Sequence, residues 1–181
     1  MELSQGVRKL GPHNGAVRVR TGREGVAARV GHDLLIGFQQ WSGSVEIGPG
    51  GQQDVSVEAA VEVASLTVLS GTGGVSELSA ADRADITKSA LKVLDAERHP
   101  TIEFRSTALR SGSWLLDGDL TVAGRTAPLT LRVVESTAGG YLATGRIRQS
   151  DLGIKPYKAM LGALRLADEV EIEVEVRLSD Q

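Results

Sequence analysis

The residues that could do chemistry are few and scattered. His13, His32 and His99 are the only histidines, and none has a second histidine at the i+2 or i+4 spacing that sets two ligands on one metal. Cysteine is absent, which removes disulfides, thiol catalysis and thiolate metal sites. His32-Asp33 is the one suggestive pair, and a loop hydrogen bond explains it more simply than a ligand role. His99 before Pro100 reads as a turn residue. Ser150-Asp151 follows an alternating run, where adjacent side chains point to opposite faces. It therefore reads as a turn or cap rather than a nucleophile with its helper, and no Gly-x-Ser-x-Gly elbow exists. The run Gly71-Thr72-Gly73-Gly74-Val75-Ser76 sits where a phosphate-cradling loop would, but serine replaces the third glycine of the dinucleotide fingerprint. A connector is the better reading. These residues predict no catalytic group, no metal and no cofactor.

What must position side chains in this chain is sheet. In the run Asp168–Arg177, Val170, Ile172, Val174 and Val176 point one way, and Glu169, Glu171, Glu173 and Glu175 the other. A period of two marks a strand wet on one face and dry on the other, the pattern of antiparallel sheet. Val55, Val57, Ala59, Val61 and Val63 repeat it, as do Leu129, Leu131 and Val133. Candidate strands lie near 16–21, 25–31, 42–48, 54–64, 101–109, 114–123, 127–135, 141–149 and 168–178, separated largely by glycine-rich breaks such as Gly48-Pro49-Gly50-Gly51.

Two segments do not alternate. From Ser79 to Glu97, Ile86, Ala90, Leu91 and Leu94 recur at helical spacing after a cap-like Ser79-Ala80-Ala81-Asp82. His99-Pro100 ends that helix, because proline pushes the preceding residue out of the α region. The insert Lys155–Leu166 holds Tyr157, Met160, Leu161, Leu164 and Leu166, too apolar for a plain solvated loop. Both inserts could cap an end of a barrel.

At 181 residues the chain fits a single domain, 1–181, with its core at about 14–178. A net charge of −3 gives no basic footprint for nucleic acid. The charge is uneven: residues 1–29 carry six basic side chains against Glu2 and Glu24, whereas residues 168–181 carry six acids against Arg177. Arg18 and Arg20 alternate with Val17 and Val19, so the first and last strands are predicted to lie side by side, the pairing that closes a barrel. The start, Met1 to Gly6, lacks an apolar h-region, and nothing approaches about 18 consecutive apolar residues. These features predict a cytoplasmic protein with no membrane span.

Several phrases then carry a resemblance. His99-Pro100-Thr101-Ile102-Glu103-Phe104-Arg105-Ser106 resembles the helix-to-strand junction of the YceI-like proteins, also called lipid- or polyisoprenoid-binding proteins. Gly118-Asp119-Leu120-Thr121-Val122-Ala123-Gly124-Arg125-Thr126-Ala127-Pro128-Leu129-Thr130-Leu131 is similar to that family's hairpin. Gly145-x-Ile147-x-x-Ser150-Asp151-Leu152-Gly153-Ile154 is similar to its next signature, and Leu166-Ala167-Asp168-Glu169-Val170-Glu171-Ile172 to its last strand. They fall in the family's order. The resemblance implies an all-β fold with one or two short helices: an eight-stranded, antiparallel, lipocalin-like barrel with a helical insert and a long hydrophobic cavity. It implies a ligand that is a polyisoprenoid or other long-chain amphiphile, no catalytic reaction, and a tendency to form homodimers.

The residues point the same way. Only six aromatics occur in the chain, so an interior would be lined mainly by Val, Leu, Ile and Ala and would suit an aliphatic content. A closed barrel of about eight strands is just wide enough to be filled by side chains or to hold one slender ligand. The function expected is non-enzymatic binding, transport or sequestration of an isoprenoid or fatty-acyl lipid. The alternatives are a filled barrel acting as a protein-binding dimer, and a hydrolase using His32, Asp33 or the Ser150-Asp151 turn. Parity places Phe104, Leu120, Val122, Leu129 and Leu131 inward on strands. Leu91, Leu94, Tyr157, Met160 and Leu161 lie on the two inserts that could roof the cavity. Met160 stands out among them, because a flexible thioether adapts to irregular contents.

Overall fold

Alternation becomes strand nearly everywhere it occurs. A computed structural model of the chain describes residues 5–110, 112–137 and 139–178. Its strands are β1 (Gly6–Leu10), β2 (Gly15–Glu24), β3 (His32–Phe38), β4 (Trp41–Ile47), β5 (Val55–Glu62) and β6 (Leu66–Gly73). After the helix α1 (Ala80–Val93) come β7 (Thr101–Arg110), β8 (Leu115–Val122), β9 (Arg125–Thr137), β10 (Gly140–Arg148), the short β11 (Lys158–Ala159) and β12 (Leu164–Arg177). Every pairing is antiparallel.

The registers show that several of these runs are halves of longer, bent strands. Leu10 of β1 lies opposite Gly43 of β4, and Val17 of β2 lies opposite Phe38 of β3, so the same pairing resumes across the turn at 11–14. β5 and β6 behave alike: Val61 faces Trp41 and Leu66 faces Phe38. The breaks stack on one another, with Gln39 N donating to Ser65 O at 3.2 Å and Glu62 N to Gln40 O at 3.0 Å. Three neighbouring strands thus bend along one line. Counted whole, the sheet is eight strands, each paired with the next, and β12 of the last pairs with β2 of the first. The fold is a curled antiparallel sheet that comes round upon itself, mostly β with one helix.

The bend leaves β6 without a strand on its outer side, because β7 pairs with β5 and β8 and not with β6. Helix α1 covers that edge: Arg83 Nη1 donates to Val68 O at 2.9 Å and to Leu69 O at 2.8 Å, satisfying carbonyls that a strand would otherwise take. The helix begins where its sequence predicts. Ser79 Oγ accepts from Asp82 N at 3.1 Å, and Asp82 Oδ2 accepts from Ser79 N at 2.9 Å, a reciprocal capping box.

Three strand expectations are corrected. Residues 25–31 form a turn and a short 3-10 segment, Ala28–Val30, and the strand begins at His32 instead. The Gly71-Thr72-Gly73 connector is largely the end of β6, whose partner β3 supplies ladder bonds that glycine does not prevent. β1, with Val7 and Leu10 separated by Arg8 and Lys9, carried too little alternation to be read as strand. The expected pairing of first and last strands is present: Val17, Val19 and Thr21 face Val174, Ile172 and Val170.

Candidate functional site

The inward rows of the strands enclose a cavity of about 580 Å³. Val17, Val19, Thr21 and Arg23 line it from β2, Leu34, Ile36 and Phe38 from β3, and Val170, Ile172, Val174 and Val176 from β12. From β8 come Leu116, Leu120 and Val122, and from β9 Leu129, Leu131 and Val133. Gly118 belongs to the same inward row. A Cβ there would meet Phe104 Cε2 and Arg105 O, each at 2.6 Å, so the phenyl ring occupies the space that a side chain would need. In β7 the row is even at Ile102 and Phe104, then a bulge between Ser106 and Ala108 shifts it, and Leu109 faces the cavity.

Polar lining is gathered largely at one end. Arg23, the last of the inward row of β2, reaches the cavity there, as do His32, Tyr157 and Arg165. The Arg23 guanidinium donates to Gly31 O and stands 3.6 Å from Asp33 Oδ1. His32 Nε2 lies 2.7 Å from Ser76 O. Two loops form the rim: Ala27 N donates to Ala163 O at 2.9 Å, joining residues 25–31 to residues 160–164. Val30 and Tyr157 are both exposed and cavity-lining, which locates the mouth.

Seven of the ten residues nominated from sequence line the cavity: Leu94, Phe104, Leu120, Val122, Leu129, Leu131 and Tyr157. Leu91 packs instead against the core on the side of Leu34, Ile36 and Phe38. Met160 and Leu161 require correction, since they turn outward and are 61% and 110% exposed. Both have left-handed backbone, φ 51° and 55°, in a one-turn 3-10 segment that carries their side chains away from the interior. They sit on the rim and are no roof. Sequence reasoning missed Val17, Val19, Val170, Ile172 and Val174, although their alternation was plain. It also missed Arg23, which the parity of Val17, Val19 and Thr21 extended by two would have found.

Among the described residues the groups named for catalysis are not brought together. His32 and Asp33 have separate partners, Ser76 and Arg23. Ser150 Oγ donates to Asp168 Oδ2 at 2.5 Å and Ser150 N to Asp168 Oδ1 at 2.8 Å, an arrangement that ties the turn after β10 to the irregular start of β12. Those hydrogen bonds from Ser150, the hydroxyl's the larger, hold the Asp168 carboxyl below the usual aspartate range. Among the described residues no histidine is bonded to Ser150. Among the described residues no cluster of three or more His, Asp or Glu could hold a metal ion.

A curled, aliphatic-walled antiparallel sheet around a hollow with polar groups at its mouth defines the fold as a β-barrel of the lipocalin-like class. The YceI-like domain matches residues 17–178, and the chain belongs to the YceI-like family. Burkholderia cenocepacia BcnA has a similar crystal structure, with a TM-score of 0.63 and 18% identity over 91% of this chain and 96% of that one. The Campylobacter jejuni YCEI protein gives a TM-score of 0.55 and 15% identity, covering 81% of this chain and 84% of that one. A mutant of that protein, solved with a monobromobimane guest structure, also gives 0.55 at 15% identity. No curated protein matches the chain. At these identities the structural likenesses establish the fold.

Proposed function

We propose that the chain binds and carries, or sequesters, a long apolar molecule of the polyisoprenoid or fatty-acyl kind, without chemically changing it. The observation that supports this best is the cavity: about 580 Å³, walled by aliphatic side chains from the inward rows. Small-molecule sites span roughly 300–1,000 Å³. A barrel packed solid, acting only by self-association, would leave no such hollow. Each methylene removed from water contributes about 0.8 kcal/mol, so a chain of ten or so carbons can be held with few polar contacts. Family membership agrees, since YceI-like proteins are described as lipid-binding.

Specificity would come from the length of the hollow and from Arg23, His32, Tyr157 and Arg165 at its mouth. Among the described residues no helix is long and apolar enough to cross a membrane. Organic-solvent extraction of the purified protein followed by mass spectrometry tests the reading. A reproducible stoichiometric isoprenoid or acyl species supports it. Extracts free of lipid, together with no uptake of isoprenoid or fatty-acyl probes, sink it.

A further inference from the structure

Around the cavity mouth the surface is built unlike the rest of the molecule. Val26 is 95% exposed and Leu161 110%, with Met160, Val30 and Tyr157 beside them on the two loops joined through Ala27 and Ala163. Val75, 79% exposed, follows the same end, next to the Ser76 carbonyl held by His32. Exposed apolar residues scattered singly need no explanation, but six at one rim do. Two of them, Met160 and Leu161, are held outward by backbone in the left-handed region that side chains other than those of glycine, asparagine and aspartate seldom adopt.

Charge completes the pattern. Residues 25–31 and 154–165 contain Arg29, Lys155, Lys158 and Arg165 and no acid, and with Glu24 and Glu77 at their margin the rim sets four cations against two acids, on a chain whose net charge is −3. Arg165 is paired with Glu24 at 3.3 Å. Arg29, Lys155 and Lys158 are exposed and make no ion pair among the described residues. Apolar tips among cations are the surface that lies in an anionic lipid interface, where the tips enter the acyl boundary and the cations meet the headgroups. A protein partner is a poorer fit, because the apolar groups protrude as separate tips around an opening rather than forming a continuous, flat patch.

We propose that this rim docks the mouth of the barrel on an anionic lipid surface. Val30 and Tyr157 line the cavity and also belong to the rim, so a docked molecule would open its hollow directly onto the acyl region. A lipid could then pass between bilayer and barrel without crossing water. Docking rests on the rim alone, and the carrier reading supplies only its purpose.

Vesicle flotation tests it, using phosphatidylcholine vesicles with and without phosphatidylglycerol, on the intact chain, on the double variant Met160→Ser/Leu161→Ser, and on Val134→Ser as an exposed apolar control away from the rim. The intact chain and Val134→Ser are expected to float with the anionic vesicles, less with neutral ones, and less again at high salt. The double variant should lose at least roughly tenfold in partitioning, the least that removing two inserted apolar side chains would cost. Its uptake of a fluorescent fatty-acid probe in solution should be unchanged, which shows that it is folded and separates docking from the cavity. No flotation of the intact chain, or equal flotation of the double variant, overturns the proposal. So does a double variant that only turns a dimer into a monomer, which would assign the rim to a second copy. Flotation without probe uptake by any variant would support docking while defeating the carrier reading.

Discussion

Arg18 Nη1 lies 2.9 Å from Glu173 Oε1, across the seam where the first long strand of the chain meets the last. Glu173 also takes Arg20 Nη2 at 3.2 Å, and Arg18 reaches Glu175 at 3.2 Å, so the outer face of β2 and β12 is laced by alternating charges. Burial alone would lower the Arg18 pKa, but hydrogen bonds to Glu175 and Glu173 outweigh that and raise it. On the other side of this wall Val17, Val19, Val174 and Ile172 face the cavity. One seam therefore has a greasy inner row and a charged outer row, and the pairing that closes the barrel is specified from both.

Glu173→Gln should lower stability by about 0.5–1 kcal/mol, the size of a cross-strand charge pair that is partly screened. The measurement is a urea titration at low and high salt. The gap between the parent and the variant should narrow as salt rises, because Glu173 is the shared partner of two arginines.

Trp41 sets up a different expectation. Its indole Nε1 is buried with no hydrogen-bond partner among the described residues. An unsatisfied buried donor costs about 1–3 kcal/mol. Trp41→Phe removes that donor while leaving a small void, and the two effects oppose. Thermal denaturation should place the variant within about 1 kcal/mol of the parent, in contrast to the roughly 3–5 kcal/mol of truncation to alanine.

Gly118→Ala should be costly although only a methyl group is added. The new Cβ would press on the Phe104 ring and on Arg105 O, each at 2.6 Å; the carbonyl is fixed by strand pairing, and the ring could yield only by turning into the cavity. Overpacking of this kind costs about 1–3 kcal/mol. Equal melting temperatures for the variant and the parent would mean that the ring does not rest where the structure puts it.

Acid should weaken the fold through exposed aspartates that are held by hydroxyls. Asp168 is lowered by Ser150, Asp82 by Ser79, and Asp117 by Thr130 and then Arg110. A carboxyl whose folded pKa is depressed adds stability above its unfolded value. That stability is lost as pH falls from about 4, the ordinary aspartate range, through the folded value. Asp168→Asn should flatten the acid limb of a stability–pH curve while leaving the slope above pH about 6 unchanged.

Much of this architecture was legible in the residues. The capping box at Ser79 and Asp82, the alternation of β12 and the opposite charges of the two ends each depend on short-range chemistry, and each appears as read. The bends were not legible. Val63 at one of them continues the alternation of Val55–Val61, yet Ala64 and Ser65 leave the ladder and the strand resumes at Leu66. Such a break is dictated by neighbours, here Gln39 and Gln40, that lie far away in sequence. The rim misled for another reason. Apolar side chains are ordinarily buried, so the sequence alone places Met160 and Leu161 on a roof, whereas their backbone turns them to solvent. Where parity was trusted, on β8 and β9, all of Leu120, Val122, Leu129 and Leu131 reached the cavity wall.

The most direct measurement of the central claim is titration of a fluorescent long-chain fatty-acid probe into the parent chain and into Ala143→Trp. Ala143 lines the cavity from β10, opposite Val174 of β12. An indole there would occupy the hollow. The account expects saturable one-to-one uptake by the parent and loss of uptake by a variant that keeps the parent's β-sheet circular dichroism spectrum. Equal uptake by both, or none by the parent after delipidation, would contradict it.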